Sequence, residues 1–246
     1  MPATPAWPPK SLPRLFVREP LADGVRVALD AGQANYLGNV MRLGAGAELL
    51  IFDNRSGEWL ARISEAGKKR MTLVVERRTR DAESVPDVWL AFAPVKRAQT
   101  DWLVEKATEL GAARLVPVIT QRTVAERVKL ERLQAIAIEA AEQCGRTRLP
   151  EIAQSVALRA LLAERDPARK LYFADECGGE AVTDGFKPGP ALILVGPEGG
   201  FTDDERVLVR AAADALPVSL GPRILRAETA ALAALAAYMA IAGDWR

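Results

Sequence analysis

The residues best placed to do chemistry lie in two glycine turns near the carboxyl end: Gly196-Pro197-Glu198-Gly199-Gly200, within Val195–Phe201, and Gly221-Pro222-Arg223-Ile224-Leu225-Arg226, within Leu220–Ala231. Together they carry one carboxylate, Glu198, and two guanidinium groups, Arg223 and Arg226, and a second carboxylate, Glu228, follows at once. The chain has no histidine, which excludes Ser-His-Asp hydrolysis, histidine general-base catalysis and most zinc catalysis. Its two cysteines, Cys144 and Cys177, stand 33 residues apart, which is no metal spacing. Chemistry must then come from carboxylates, Lys, Arg, Tyr, Ser or Thr, from backbone amides, or from a bound group with its own reactivity. Neither turn is a usual nucleotide loop. GxGxxG is absent there, and GxxxxGK followed by Ser or Thr is absent throughout, which disfavours a Rossmann-type oxidoreductase and a phosphate cradle.

Both turns sit where strands give way to helices. Ala191–Val195 is an apolar strand running into the first turn, and Thr202-Asp203-Asp204-Glu205 reads as a capping box opening a helix over Thr202–Ala215. Val218–Leu220 is a short strand running into the second turn, and Ala227–Ala242 a terminal helix. Strand, glycine turn and capped helix put backbone amides at the carboxyl end of a parallel sheet, where open α/β folds bind small ligands. Glycine-rich αβ turns that bind nothing have the same appearance, so each turn taken singly leaves both readings open. Further strands are expected at Val88–Ala93, Leu115–Ile119 and Leu171–Ala174, with helices at Ala98–Leu110 and Leu130–Cys144 ended by Gly111 and Gly145. Continuous apolar strands between helices indicate a parallel α/β sheet covered on both faces.

The amino-terminal part has a different period. Val25, Val27 and Leu29 alternate, Glu48–Phe52 is an apolar run, Asp53–Gly57 supplies a turn, Glu58–Ile63 alternates, and Met71–Glu76 follows a second turn. A small β-barrel is expected, with a short helix over Gln33–Arg42. Arg77–Asp87 is charged, contains Pro86 and lacks a periodic apolar face, so it reads as a linker. The domains expected are 1–78, a linker at 79–87, and 88–246.

Residues 1–80 hold 13 Lys and Arg against 8 Asp and Glu, and the remainder 20 against 24, so a net charge of +1 hides a basic first part and an acidic second. That excess is compatible with a polyanionic partner and equally with ordinary surface charge. The longest apolar run, Ala230–Ala242, is 13 residues and mostly alanine, a buried helix rather than a membrane span. The opening MPATPAWPPKSLPRLF lacks the apolar region of a secretory signal, and a reduced, cytoplasmic setting is expected.

Taken together, the two turns become specific. VGPEGG followed about 20 residues later by Leu220-Gly221-Pro222-Arg223-Ile224-Leu225-Arg226-Ala227-Glu228-Thr229-Ala230 closely resembles the SPOUT superfamily and, within it, the RsmE family of small-subunit rRNA methyltransferases. Val95–Gly111, Glu139–Arg146 and Pro13–Val17 match the same family, so the resemblance covers nearly the whole chain. It implies an amino-terminal PUA-like β-barrel for RNA and a carboxyl-terminal SPOUT α/β domain with a parallel sheet and a deep trefoil knot. It implies further a methyl donor, S-adenosyl-L-methionine, bound by the two turns and the knot, homodimers formed through the knotted domains, and N3-methyluridine in 16S rRNA as product. No metal and no membrane are implied. Another SPOUT activity, on ribose 2′-OH or on tRNA, and a non-catalytic RNA-binding module are the alternatives.

The resemblance assigns the donor to Leu194, Val195, Gly196, Pro197, Glu198, Gly199 and Gly200 in the first turn and to Leu220, Gly221, Ile224, Leu225 and Thr229 around the second. Uridine N3 carries a proton at neutral pH, so transfer needs a proton acceptor and a cation or donor for the charge that develops. The acceptor is a carboxylate or water; Glu198 and Glu228 are the candidate carboxylates, a helix-capping role being the alternative for the latter, and Arg226 is the candidate stabiliser. RNA contacts are expected from Arg14, Arg18, Arg42, Arg146 and Arg223. Gln143, Arg146 and Arg148 are candidates for the acceptor side, a helix C-terminal dipole role being the equal alternative for Arg146; Lys68, Lys69 and Arg70 lie in the same basic part, where a solvated hairpin turn is the stronger reading. Trp102, Leu103 and Leu110 share a helical face that is either core or dimer contact. The chain departs from the family at Ala34-Asn35-Tyr36, where many relatives carry histidine, leaving Asn35 or Tyr36 to hydrogen-bond or stack in its place.

Overall fold

The computed structural model describes residues 12–67, 70–124 and 128–245; Lys68 and Lys69 lie outside them. Contacts divide the chain into two compact units, one reaching to Glu83 and including Glu142–Arg148, the other made of Ser84–Ala141 and the chain from Leu149 onward.

The first unit is a five-stranded PUA-like sheet. Its elements are β1 (Arg14–Phe16), β2 (Arg26–Leu29), the helix α1 (Ala31–Asn35) continued by a π-helical turn Tyr36–Val40, β3 (Glu48–Phe52), β4 (Glu58–Ala66) and β5 (Met71–Arg80). The strand order is β1-β3-β4-β5-β2, with β1 parallel to β3 and the other pairs antiparallel. Alternation does the work expected of it. Leu15, Val27, Leu49, Ile51, Ile63, Leu73 and Val75 turn into one core, which Ala34 and Leu37 close from the helical segment. The Asp53 side chain organises the turn between β3 and β4. Burial works against its ionisation, but hydrogen bonds from the N–H groups of Ser56, Arg55 and Leu21 and from the Ser56 hydroxyl outweigh it and hold the carboxyl below the usual carboxylate range.

The charged stretch expected to begin a linker at Arg77 instead continues β5 to Arg80, with Leu60 opposite Arg77 and Glu58 opposite Arg80. Register shifts between Glu58 and Trp59 and between Leu60 and Ala61 break the period that would have marked it as a strand.

The second unit alternates strands and helices: β6 (Val88–Phe92), α2 (Arg97–Glu109), β7 (Arg114–Ile119), α3 (Leu130–Cys144, whose last residues group with the first unit), β8 (Glu151–Ile152), β9 (Val156–Ala157), α4 (Leu158–Glu164), β10 (Lys170–Ala174), β11 (Glu180–Ala181), α5 (Val182–Gly185), β12 (Ala191–Val195), α6 (Asp203–Arg210), β13 (Ala215–Ser219) and α7 (Ala227–Ile241). The sheet order is β11-β13-β10-β12-β6-β7-β8, with β9 added to β7, and every pair is parallel. Its strands read as unbroken apolar runs because both faces are covered. Leu90, Tyr172, Ile193 and Val195 pack on one face with α2 and α7, while Ala91, Phe173, Leu192 and Leu194 pack on the other with α4 and α6. α7 is buried along most of its length, which explains its alanine-rich composition: small side chains let a helix lie close to the sheet on several sides.

The helix after the first turn ends earlier than its apolar residues suggest. α6 stops at Arg210, Asp214 takes a left-handed φ of 54°, and Ala215 already pairs in β13.

Candidate functional site

β13, β10 and β12 are neighbours in the sheet, so the loops leaving their carboxyl ends emerge side by side. They enclose a cavity of about 530 Å³, within the usual range for small-ligand sites. The β12 loop contributes Val195–Glu198 and Phe201, the β13 loop Ser219–Arg226, and α7 the side chains of Ala227 and Ala230. The third wall is Ala174–Gly178, after β10. It escaped the sequence reading, although Asp175-Glu176-Cys177-Gly178-Gly179 repeats the signal of the other two, a buried strand running into a glycine turn.

The β12 loop is braced from several directions. The capping box forms: the Thr202 side chain accepts from Glu205 N–H, and Glu205 accepts from Thr202 N–H while its other oxygen accepts from Gln121 N–H at 2.8 Å. Arg122 donates to the Gly199 carbonyl at 2.6 Å. The Phe201 ring lies under Gly196, where a Cβ would meet it at 3.0 Å, and packs edge-on to Phe173 with centroids 5.7 Å apart.

Of the residues expected to hold a ligand, Val195, Gly196, Pro197 and Glu198 line the cavity, as do Leu220, Gly221, Ile224 and Leu225. Leu194, Gly199, Gly200 and Thr229 do not. Leu194 is one residue out of phase with Val195, so its side chain enters the core on the other face of the sheet. Gly199 turns toward Arg122, and the space beside Gly200, at φ +67°, is filled by the Glu176 carboxylate, which a Cβ would meet at 2.4 Å. Thr229 is exposed on the face of α7 turned away from Ala227 and Ala230.

The charged candidates separate in the same way. Glu198 and Arg226 line the cavity and are exposed, and Arg223 joins them. Glu228 is buried in the first turn of α7 and does not line the cavity. The cavity is therefore divided by charge: carboxylates stand on the β10 and β12 loops, guanidinium groups on the β13 loop. Ile224 lines the cavity with 84% of its surface exposed.

Among the expected RNA contacts, Arg18 and Arg42 are exposed on the first unit. Arg14 and Arg146 are not available for that role. The Arg14 guanidinium pairs with buried Glu58 at 2.7 Å, lies over the Phe52 ring and donates to the carbonyls of Glu142 and Arg146. Arg146 is 5% exposed and pairs with Glu83, whose carboxylate also accepts from the N–H of Thr147 and Arg148. A basic residue in a family motif looks the same in sequence whether it grips RNA or its own fold. Leu103 is core and Leu110 packs against it, whereas Trp102 on the same helix is 44% exposed.

A PUA-like sheet followed by a parallel α/β sheet with a cavity among its carboxyl-terminal loops defines a class, and the family models agree with it. An RNA methyltransferase domain matches residues 82–239, and an RNA methyltransferase PUA domain matches residues 29–76. The chain belongs to the RNA methyltransferase family of the ribosomal RNA small subunit methyltransferase E type. It is 30% identical over 229 residues to a protein of that name from Rickettsia conorii, covering 91% of this chain and 93% of the relative. A solved ribosomal RNA small subunit methyltransferase E from Neisseria gonorrhoeae, bound to S-adenosyl methionine, aligns with a TM-score of 0.87 at 31% identity over 96% of this chain and all of that one. A putative methyltransferase from Legionella pneumophila, in complex with SAM, aligns with the same TM-score at 30% identity over 95% of this chain and 99% of that one.

Proposed function

We propose that this chain transfers a methyl group from S-adenosylmethionine to N3 of a uridine in small-subunit (16S) ribosomal RNA. The observation that carries the reading is the convergence of three adjacent strand-end loops on one cavity, two of them the glycine turns on which the resemblance to the family rests. The names of the relatives and the donor bound in the Neisseria and Legionella structures support it.

The residues present fit the donor. Gly196 and Gly221 leave backbone accessible, Val195, Leu220, Ile224 and Leu225 give apolar walls for an adenine, and Glu198 and Glu176 face a cation. When bound, S-adenosylmethionine supplies an electrophilic methyl group on a sulfonium, and no metal is needed for its transfer. What remains for the protein is to orient the acceptor, exclude water and manage one proton. We assign proton acceptance from N3 to Glu198, which lines the cavity, in preference to Glu228, which does not. Arg226, the N-cap residue of α7, faces the negative charge that develops on the uracil oxygens. The new N–C bond forms as the S–C bond breaks, and the sulfur keeps the electron pair. Arg223 at the cavity mouth, with Arg18 and Arg42 on the first unit, supplies phosphate contacts, and the target base is extruded to reach the cavity. The active form is a cytoplasmic homodimer joined through the second units, each with a trefoil knot.

Calorimetric titration with S-adenosylmethionine tests the cavity assignment. One site per chain is expected, weakened at least tenfold in Gly196→Val. A protein that binds small-subunit RNA and takes up no donor would be an RNA-binding module instead.

A further inference from the structure

The cavity wall formed by Asp175–Gly178 is held by α6. Asp175 is buried, its carboxylate 3.3 Å from Arg206 Nε and accepting from Arg210 Nε at 3.1 Å. Arg206 reaches on to Glu176 Oε1 at 2.8 Å, so one guanidinium fastens two successive carboxylates. On its far side Glu176 lies against Gly200, filling the space that any larger residue would need. Glu176 is thus fixed from two directions on the cavity wall, with 45% of its side chain still open.

The balance of charge on this wall is negative. Two guanidinium groups, Arg206 and Arg210, meet two carboxylates, Asp175 and Glu176, and Glu198 on the neighbouring loop leaves one negative charge in excess, while Arg223 and Arg226 stand apart on the β13 loop. An anionic wall attracts a sulfonium and is indifferent to a neutral thioether. Methyl transfer converts the one into the other, because the sulfur keeps the electron pair of the broken S–C bond. We propose that Glu176, positioned by Arg206 and by the glycine at 200, makes the cavity discriminate the cationic methyl donor from its neutral product. Once the methyl group has left, the electrostatic hold is gone and the product leaves more readily. Glu176 acts as a selectivity residue and Arg206 as the residue that positions it. The proposal rests on reading the cavity as the donor site.

The test compares the Kd values of S-adenosylmethionine and S-adenosylhomocysteine, measured by calorimetry at low salt on the full chain. In Glu176→Gln the preference for the donor falls about three- to fivefold, the range open to a partly exposed ion pair, and the affinity for S-adenosylhomocysteine is unchanged. Raising the salt lowers the preference of the wild type more than that of Glu176→Gln, which keeps only Asp175 and Glu198. Arg206→Gln also lowers the preference, and Arg206→Lys restores part of it; circular dichroism establishes that each variant is folded. A preference unchanged in Glu176→Gln, or equal weakening of both ligands, overturns the proposal while the donor-site reading stands. Wild-type protein that binds neither ligand overturns both.

Discussion

Arg226 and Gly196 are the single residues on which the reading of the site turns most directly. Arg226 touches the cavity from the N-cap of α7, and the role proposed for it is to stabilise the charged transition state more than the ground state. Arg226→Ala should lower kcat by about a hundredfold, the usual cost of one such donor, and change the donor Kd by less than threefold. Equal losses in both, seen by rapid-quench kinetics beside calorimetry, would make it a binding residue only. In Gly196→Val the new side chain drives against the Phe201 ring, already at 3.0 Å from a Cβ, so donor binding should fail while the fold survives. Wild-type donor affinity in that variant would remove the first turn from the site. Most of these positions were legible in the sequence because strand, glycine turn and capped helix is a local pattern. Which of two adjacent residues lines a cavity was not. Leu194 and Val195 differ only in which face of the sheet they occupy, and the roles of Arg14 and Arg146 depend on Glu58, Glu83 and carbonyls far away in sequence.

Elements with a long apolar period were readable to the residue, as with β3 at Glu48–Phe52 and α3 at Leu130–Cys144. The strands β8, β9 and β11 were not, since two residues carry no period. Nor was the end of α6, where Ala211–Ala213 could continue a helix but the left-handed Asp214 turns the chain into β13. The turn between β3 and β4 shows an element held by one side chain. Asp53→Ala removes the acceptor of four hydrogen bonds and leaves buried N–H groups unmatched, at a cost of about 2–4 kcal/mol. A fall in the melting temperature of the first unit on the order of 10 °C should follow, and calorimetry of the variant checks it. The pH dependence has a definite sign. The carboxyl of Asp53 lies below its ordinary value in the folded chain, so its contribution is present above that value and is lost as the pH falls through the folded one. Denaturant melts of wild type and Asp53→Asn should accordingly converge below about pH 4. A gap that persists at pH 2 would show that the carboxylate charge does not carry the effect.

For the molecule as a whole, the period change between the two parts announced two architectures, and the parallel sheet followed from apolar runs alternating with helices. Its strand order did not, because neighbours such as β13 and β10, or β12 and β6, are set by packing between residues distant in the chain. That order is what gathers three loops at one cavity. The homodimer proposed above predicts a mass by light scattering near twice 26.6 kDa at micromolar concentration, and a single-chain mass there would contradict it. The central claim is best tested by incubating small-subunit ribosomal RNA, free and in the subunit, with the protein and methyl-labelled S-adenosylmethionine, then digesting the RNA to nucleosides. We expect the label in N3-methyluridine and nowhere else, and its absence when Gly196→Val replaces the wild type. Label on a ribose 2′-oxygen or another base, or none with either RNA, would contradict the assignment.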